Sequence, residues 1–388
     1  MSMSKTPQNP AKKKALIVAS VATFLDSFEV SDIGLLQARG YEVHCACNLG
    51  ADSNQQSSNP NERLVASGAV LHQVDFARSP LSRTNLAAWR ELSRLMAKEQ
   101  FSLVHCHTPV AAMLARLAAR KQQVPCVIYT AHGFHFFKGA PKKNWLLFYP
   151  LEQAMSRLTD VLITINDEDY RRAKAKSHAE KIFRIHGVGV DTTRFSACGV
   201  DREAKRRELG IGPEETLLLS VGDLDDEKHH ITILRAMETL APKGYRYFLA
   251  GDGELLESHQ SFVRDHGLES AVRFLGYRRD IPELLRAADV FVFPSLREGL
   301  PVALMEAVAA GLPIACSPIR GNVDIVVTPE SYFDPHSPEE AVNVIERLAA
   351  LSPSEREKLV RMNRENLKQY DLAAVQKEMT KIYDSVLN

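Results

Sequence analysis

The stretch Val290–Glu306, VFVFPSLREGLPVALME, decides the fold. Its opening residues are an unbroken β-branched and aromatic run, the pattern of a strand buried on both faces. Pro301 marks the first turn of a helix, where its missing N–H costs nothing. A strand that passes through a Gly-Pro junction into a helix is half of a βαβ unit, and the same unit recurs on both sides. TLLLSVG (Thr216–Gly222), YRYFLAG (Tyr245–Gly251) and VRFLG (Val272–Gly276) precede it and LPIACS (Leu312–Ser317) follows, each leading into a helix-like segment. The first half repeats the alternation with strands at Ala15–Val21, Tyr41–Cys47, Val70–Val74, Ser102–His107, Cys126–Thr130, Val161–Ile165 and Ile182–His186. Gly50–Asn61, rich in Asn, Ser and Gln, reads as a loop. Gly187–Gly212 breaks the rhythm and reads as a linker, and two helices close the chain, the second broken near Tyr370 and Asp371.

Strands alternating with helices predict α/β architecture with parallel, doubly wound sheets, and 388 residues suffice for two such domains. The expected division is an N-terminal Rossmann-like domain over 1–195, a C-terminal one over 196–370, and a final helix over 371–388 packing back on the first. Ligands of such sheets sit beyond the carboxyl ends of the strands, which makes the cleft between the domains the expected site.

Composition narrows the class. Charge sums to zero but is divided: residues 1–190 carry 24 Lys and Arg against 15 Asp and Glu, residues 191–388 carry 24 against 33. A basic half joined to an acidic half suits a partner that is anionic on one side, although solvated faces can also be unbalanced by chance. The basic residues are scattered and no nucleic-acid motif accompanies them, so no nucleic-acid partner is expected. Cys45, Cys47, Cys106, Cys126, Cys198 and Cys316 form no CxxC pair, which fits a reducing cytoplasm. No segment reaches the roughly 20 apolar residues that span a bilayer, so membrane contact is expected to be peripheral, on the inner face.

The chemistry-bearing residues gather at strand ends. Gly299 and Leu300 offer backbone N–H groups at the positive end of the helix after Pro301, a ready anion site for a diphosphate. Glu298 stands before that helix at the expected cleft, and Glu306, about two turns into it, can point back to a ribose hydroxyl pair; otherwise they are solvated carboxylates. His132 follows CVIYT in AHGFHF, a titratable group at a strand end or simply a hydrogen-bonded loop histidine. His105 and His107, two apart on one strand, raise the question of metal, but no third ligand at zinc spacing accompanies them and no metal is expected. Gly187-Val188-Gly189 lacks the third glycine and the helix of a dinucleotide turn. Phe134, Phe136, Phe137, Trp145, Phe148 and Tyr149, interleaved with Lys138, Lys142 and Lys143, read either as core or as an interfacial surface; Trp145 and Phe148 are assigned to the core and the lysines to solvent.

Together with the Glu298-x7-Glu306 element, VGDLDDEK (Val221–Lys228), LAGDGE (Leu249–Glu254) and VRFLGYRRDIPELLRAADVFVFPSLREGLP (Val272–Pro301) resemble the retaining two-domain glycosyltransferases of family four. VASVATFLDSF (Val18–Phe28), GYEVHCACN (Gly40–Asn48), YTAHGFHFFKGAPKKNWLLFYPLE (Tyr129–Glu152) and DVLITINDEDY (Asp160–Tyr170) resemble a narrower branch. Its members extend oligosaccharides on polyprenyl diphosphate for exopolysaccharide, capsule or protein glycosylation. The resemblance implies the GT-B architecture, with acceptor bound in the N-terminal domain and donor in the C-terminal one. It implies a UDP-sugar-type donor, a lipid-linked glycan acceptor, an anionic membrane surface as partner, retention of configuration, and no cofactor or metal. Carried onto this chain, Gly222, Lys228, Glu298, Gly299, Leu300 and Glu306 would hold the donor. Lys228 would bind its diphosphate, Glu298 its sugar hydroxyls and Glu306 its ribose. His132, Glu298 and Lys228 would be catalytic, and Phe134, His135 and Lys138 would meet the acceptor. Asp223 stands where the wider family has Arg, which throws phosphate binding onto Lys228 and the helix end. Two other readings share the architecture: a nucleotide-sugar epimerase, which needs no acceptor, and a non-catalytic nucleotide-sugar-binding partner, for which Asp223 is the hint.

Overall fold

A computed structural model of the chain describes residues 12–50, 59–77, 79–197 and 199–387. Cys198 and most of the expected loop 50–61 lie outside them; the five described cysteines form no disulfide with one another. Two units separate, one comprising Met1–Val188 with Gln376–Asn388, the other Gly189–Val375.

In the first unit the apolar runs become β1 (Lys14–Val21), β2 (Glu42–Asn48), β3 (Val70–Gln73), β4 (Leu103–Cys106), β5 (Cys126–Ala131), β6 (Val161–Thr164) and β7 (Lys181–Arg184). They form one parallel sheet in the order β3-β2-β1-β4-β5-β6-β7. Ala15 of β1 faces Val43 on one side and Leu103 on the other. An all-parallel sheet must be covered on both faces, and the helix Pro109–Lys121 lies close on one because its inner stripe is alanine: Ala111, Ala112, Ala115, Ala118 and Ala119 are all fully buried. Arg116, on the same helix, is buried among them. It survives there because two of its nitrogens donate to the Glu152 carboxylate at 2.7 and 3.1 Å and its guanidinium lies 4.2 Å from the centre of the Tyr129 ring.

The aromatic run divides. Phe134 and Phe136 stack at 4.8 Å inside the core, with Trp145, Phe148 and Tyr149 packed against it. On the helix Lys142–Ser156, by contrast, Lys142, Lys143, Leu146 and Leu147 are exposed, Leu146 by 79%. The closing helix Leu372–Leu387 gives the first unit its last residues, including the buried Tyr383.

The second unit contains β8 (Thr216–Val221), β9 (Tyr245–Ala250), β10 (Val272–Gly276), β11 (Val290–Phe293) and β12 (Ile314–Cys316), all parallel in the order β10-β9-β8-β11-β12. The segment expected to be a linker, Gly187–Gly212, instead forms two short helices, Thr192–Ser196 and Arg202–Leu209. Asp191 and Asp201 cap them, each carboxylate accepting a backbone N–H of the first turn. Arg206 then reaches inward to the carbonyls of Gly212, Glu215 and Ala287 and to Asp289, so the segment is part of the unit's body. In each sheet the chain starts at a middle strand and later crosses to that strand's other side, placing the switch points between β1 and β4 and between β8 and β11. Loops leaving those strand pairs diverge, and the crevice between them is where an α/β sheet binds its ligand.

Candidate functional site

In the second unit the loops after β8 and β11 meet at the switch point. Gly222 follows β8 and Gly251 follows β9, and the two lie so close that a Cβ on Gly251 would be 1.8 Å from the Gly222 carbonyl oxygen. Both have positive φ, 154° and 157°. Beyond Gly222 the loop closes when the Lys228 N–H donates to Asp225 Oδ1 at 2.8 Å. The Lys228 side chain runs back past Gly222, and its Nζ donates to Glu298 Oε1 at 2.7 Å. Glu298 arrives from the loop after β11 and is 9% exposed. The Leu296 N–H donates to the Glu227 carbonyl at 2.7 Å and Arg297 pairs with Glu227 at 2.6 Å, tying the two loops together. Arg320 Nε donates to the Glu298 carbonyl at 2.9 Å.

The helix that follows spans Val302–Ala310, with Pro301 as its N-cap and no side-chain cap. Pro301, expected in the first turn, thus stands one position before it. The first-turn N–H groups are those of Val302, Ala303 and Leu304, and Gly299 and Leu300 shape the turn leading to them, because Pro301 takes extended rather than helical ψ (119°). Burial works to lower the Lys228 pKa, but the charge and hydrogen bond of Glu298, with Asp225 and Asp223, outweigh it and hold the ammonium above its ordinary value. Asp223 therefore reinforces the charge on Lys228. Glu306, further along the same helix, is pushed up to about 7 by burial, against the pull of Arg194. A cation, an uncapped helix end and a hydrogen-bonding carboxylate at one strand-end crevice can grip a phosphate-bearing ligand and its hydroxyls.

The first unit has its own cluster at the ends of β1, β4 and β5. His132 follows β5, and its Nε2 lies 3.1 Å from Nδ1 of His107, which follows β4. Glu29, between the helices Ala22–Phe28 and Val30–Gln37, places Oε1 3.2 Å from the same His107 Nδ1. His105 turns elsewhere: its Nδ1 meets the Tyr383 hydroxyl at 2.9 Å and its Nε2 the Thr130 hydroxyl at 2.8 Å, while that Tyr383 hydroxyl donates to Asp32. Burial sets the charge states. It drives Glu29 well above the carboxylate range, with Asp32 adding to the shift, and raises Asp32 to about 6. It lowers His132 to about 4 and His105 to about 3, and takes His107 well below its ordinary value. The imidazoles are thus neutral near pH 7.

Of the residues assigned to the acceptor, Phe134 is 6% exposed and stacked in the core, so its side chain serves packing. His135 is half-buried on the Phe148 ring at 4.5 Å, and Lys138 is exposed. Glu29, Asp32, Tyr383 and Arg320 escaped the sequence reading. The only trace was the three acidic residues Asp26, Glu29 and Asp32 in the otherwise largely apolar run FLDSFEVSDIGLL, and Tyr383 lies 278 residues from the histidine it touches.

Two parallel sheets, each with a cluster of polar side chains at its switch point, define the two-Rossmann class. Across 96% of this chain and 100% of the other, the fold superposes on a crystal structure of Anabaena HepE in complex with UDP and glucose, with a TM-score of 0.77 at 16% identity. It also superposes on WaaG, a glycosyltransferase involved in lipopolysaccharide biosynthesis, with a TM-score of 0.71. The fold is GT-B. Residues 201–366 match the model of glycosyl transferases group 1, and residues 16–166 match a glycosyl transferase 4-like domain. A Bacillus subtilis protein bearing the name glycosyltransferase EpsD is 36% identical over 329 residues, 83% of each chain. An Escherichia coli UDP-Gal:alpha-D-GlcNAc-diphosphoundecaprenol alpha-1,3-galactosyltransferase is 33% identical over 60% of this chain and 61% of its own. The chain belongs to the group 1 glycosyltransferases, and its activity is glycosyl transfer.

Proposed function

We propose that this enzyme moves a hexosyl or N-acetylhexosaminyl group from a UDP-sugar to a hydroxyl of a glycan carried on polyprenyl diphosphate, with retention of configuration and without a metal. The observation that carries the reading is the Lys228–Glu298 pair at the β8/β11 switch point, beside the uncapped helix end at Val302. The ammonium and the helix N–H groups receive the diphosphate, Glu298 accepts from sugar hydroxyls, and Glu306 accepts from the ribose. The glycosidic bond to the departing UDP breaks while the acceptor oxygen bonds to the same face of the anomeric carbon. The acceptor's proton passes to the leaving diphosphate oxygen. Catalysis is then positioning plus stabilisation of leaving-group charge, with His132 as an imidazole contact to the sugar.

Support for the lipid-linked acceptor, and for a place in surface polysaccharide assembly, comes from the names of the E. coli galactosyltransferase and of a further relative of this chain, the E. coli colanic acid biosynthesis glycosyltransferase WcaL, 26% identical over 90% of each chain. Support for a peripheral seat on the inner membrane face comes from Lys138, Lys142 and Lys143 beside exposed Leu146 and Leu147, in the half that carries the positive charge. No helix among the described residues is long and apolar enough to cross a membrane. The test incubates the protein with UDP-sugars and a synthetic polyprenyl-diphosphate-linked saccharide, following product by mass spectrometry. Transfer from one donor, with no epimer formed when acceptor is omitted, supports the reading. Epimer without acceptor, or no transfer and no thermal stabilisation by any nucleotide sugar, overturns it.

A further inference from the structure

At the switch point of the first unit three donor atoms come from three separate pieces of chain: Glu29 Oε1, His107 Nδ1 and His132 Nε2. The His107–His132 edge is 3.1 Å, the His107–Glu29 edge 3.2 Å and the His132–Glu29 edge 3.9 Å. A point about 2.0 Å from all three lies at the centre of that triangle, the bond length of zinc to imidazole nitrogen and carboxylate oxygen. The set fits chemically as well, since two imidazoles and a carboxylate are a zinc donor set that leaves a position open.

The surroundings argue in the same direction. Backbone bonds fix two of the three pieces: the His107 N–H donates to the Val18 carbonyl at 2.7 Å, and the Glu29 N–H to the Leu25 carbonyl at 2.9 Å. Phe24 walls the site, its ring 4.9 Å from that of His132 and 5.9 Å from that of His107. Glu29 and His107 side chains are 4% and 1% exposed, while His132 keeps 20%, leaving one way in. Two carboxyls, Glu29 and Asp32, are buried here, and among the described residues their ion-pair partners are imidazoles, with no lysine or arginine. A divalent ion would supply the positive charge that this pocket otherwise lacks.

We propose that Glu29, His107 and His132 form a binding site for a single zinc-class divalent cation, open on the His132 side to a water or a ligand oxygen. The site goes beyond the transfer reaction proposed above and stands or falls separately from it. Because the ion takes the Nε2 lone pair of His132, occupancy fixes that ring, and zinc in excess would restrain transfer reversibly rather than support it.

The experiment uses the full chain without a histidine tag, stripped with chelator, and titrates Zn²⁺ against a chromophoric chelator; Co²⁺ is added in parallel for its visible spectrum. With 13 histidines in the chain, the reading is a difference between variants. The wild type is expected to show one tight equivalent and an intense low-coordinate Co²⁺ spectrum. His132→Ala and Glu29→Gln are each expected to weaken that equivalent by at least about 100-fold, the upper range for loss of a supporting residue. His72→Ala, which removes one ring of the His44–His72 contact at 2.8 Å, is expected to leave it unchanged. His132 is the most exposed of the three ligands and its replacement is the variant least disturbing to folding, which circular dichroism checks. A wild type with no equivalent beyond that of His132→Ala, or with a Co²⁺ spectrum like the aqueous ion, overturns the proposal and leaves the three groups as a hydrogen-bonded trio.

Discussion

Replacing Lys228 by Met keeps the aliphatic stem that lies along Gly222 and removes the ammonium that meets Glu298 at 2.7 Å. Two consequences differ in size. An ammonium about 4 Å from a phosphate charge at an effective dielectric constant of about 20 contributes about 4 kcal/mol. Glu298, Asp225 and Asp223 offset part of this. A loss of about 2.7 kcal/mol in the transition state remains, which is about 10²-fold in kcat/KM. Stability suffers less. Glu298 loses its partner in a setting 9% exposed, a cost of about 1–3 kcal/mol, or a few degrees in Tm for a unit of this size. Steady-state UDP release, read beside a melting curve, separates the two. A Lys228→Met enzyme with kcat/KM within about threefold of wild type would refute the assignment of the diphosphate to this lysine. A fall in rate reproduced by heating the wild type through the same loss of Tm would refute it equally.

Glu306, raised to about 7 by burial, binds a proton more tightly folded than unfolded, so its contribution to stability is complete below about 4.5 and is lost as pH rises through about 7. Glu306→Gln is expected to flatten Tm over that interval; an unchanged pH profile refutes the shift. If the ionised carboxylate accepts from the ribose, UDP affinity of the wild type rises through the same interval and that of the variant does not. Changing Lys138, Lys142 and Lys143 together to Glu is expected to release the protein from anionic vesicles at salt where the wild type still sediments, each lysine contributing about 1 kcal/mol. Transfer to a soluble acceptor analogue should fall far less than transfer to the lipid-linked one, and equal sedimentation of both proteins counts against the membrane seat. Transfer is expected to persist in excess EDTA; loss that magnesium restores would place a required metal in the reaction. Arg116→Met should destabilise the first unit by about 3–5 kcal/mol because Glu152 is left without its partner, and restoration by Glu152→Gln in the double variant checks that reason.

Much of this was legible because parallel strands buried on both faces write themselves as apolar runs, as β1, β4, β6, β8 and β11 do, while the edge strands β3, β7 and β10 are only partly buried and were placed by the alternation around them. The Glu298–Pro301 turn was legible because proline and glycine constrain the backbone where they stand. The start of the helix was misplaced by its cap geometry, since sequence marks Pro301 as near a helix start without fixing whether it is cap or first turn. Asp191 and Asp201 were read as linker residues because a capping aspartate and a loop aspartate are the same letter. The Glu29–His107–His132 cluster was illegible for a different reason: the pattern H-x-H invited pairing along the strand, and the two rings do lie 4.3 Å apart, but their hydrogen-bonding nitrogens meet different partners. His105 turned to Tyr383 and His107 to partners from two other segments.

Tyr383 has a further consequence, for the order in which the chain can be completed. The first unit contains His105 and Asp32, yet the hydroxyl that joins them comes from a segment made only after Gly189–Val375. Synthesis at about 5–20 residues per second leaves the first sheet waiting on the order of ten seconds or more with two buried polar groups short of that partner. A chain interrupted between Val375 and Tyr383 would be expected to carry a sound second unit beside a first that never closes.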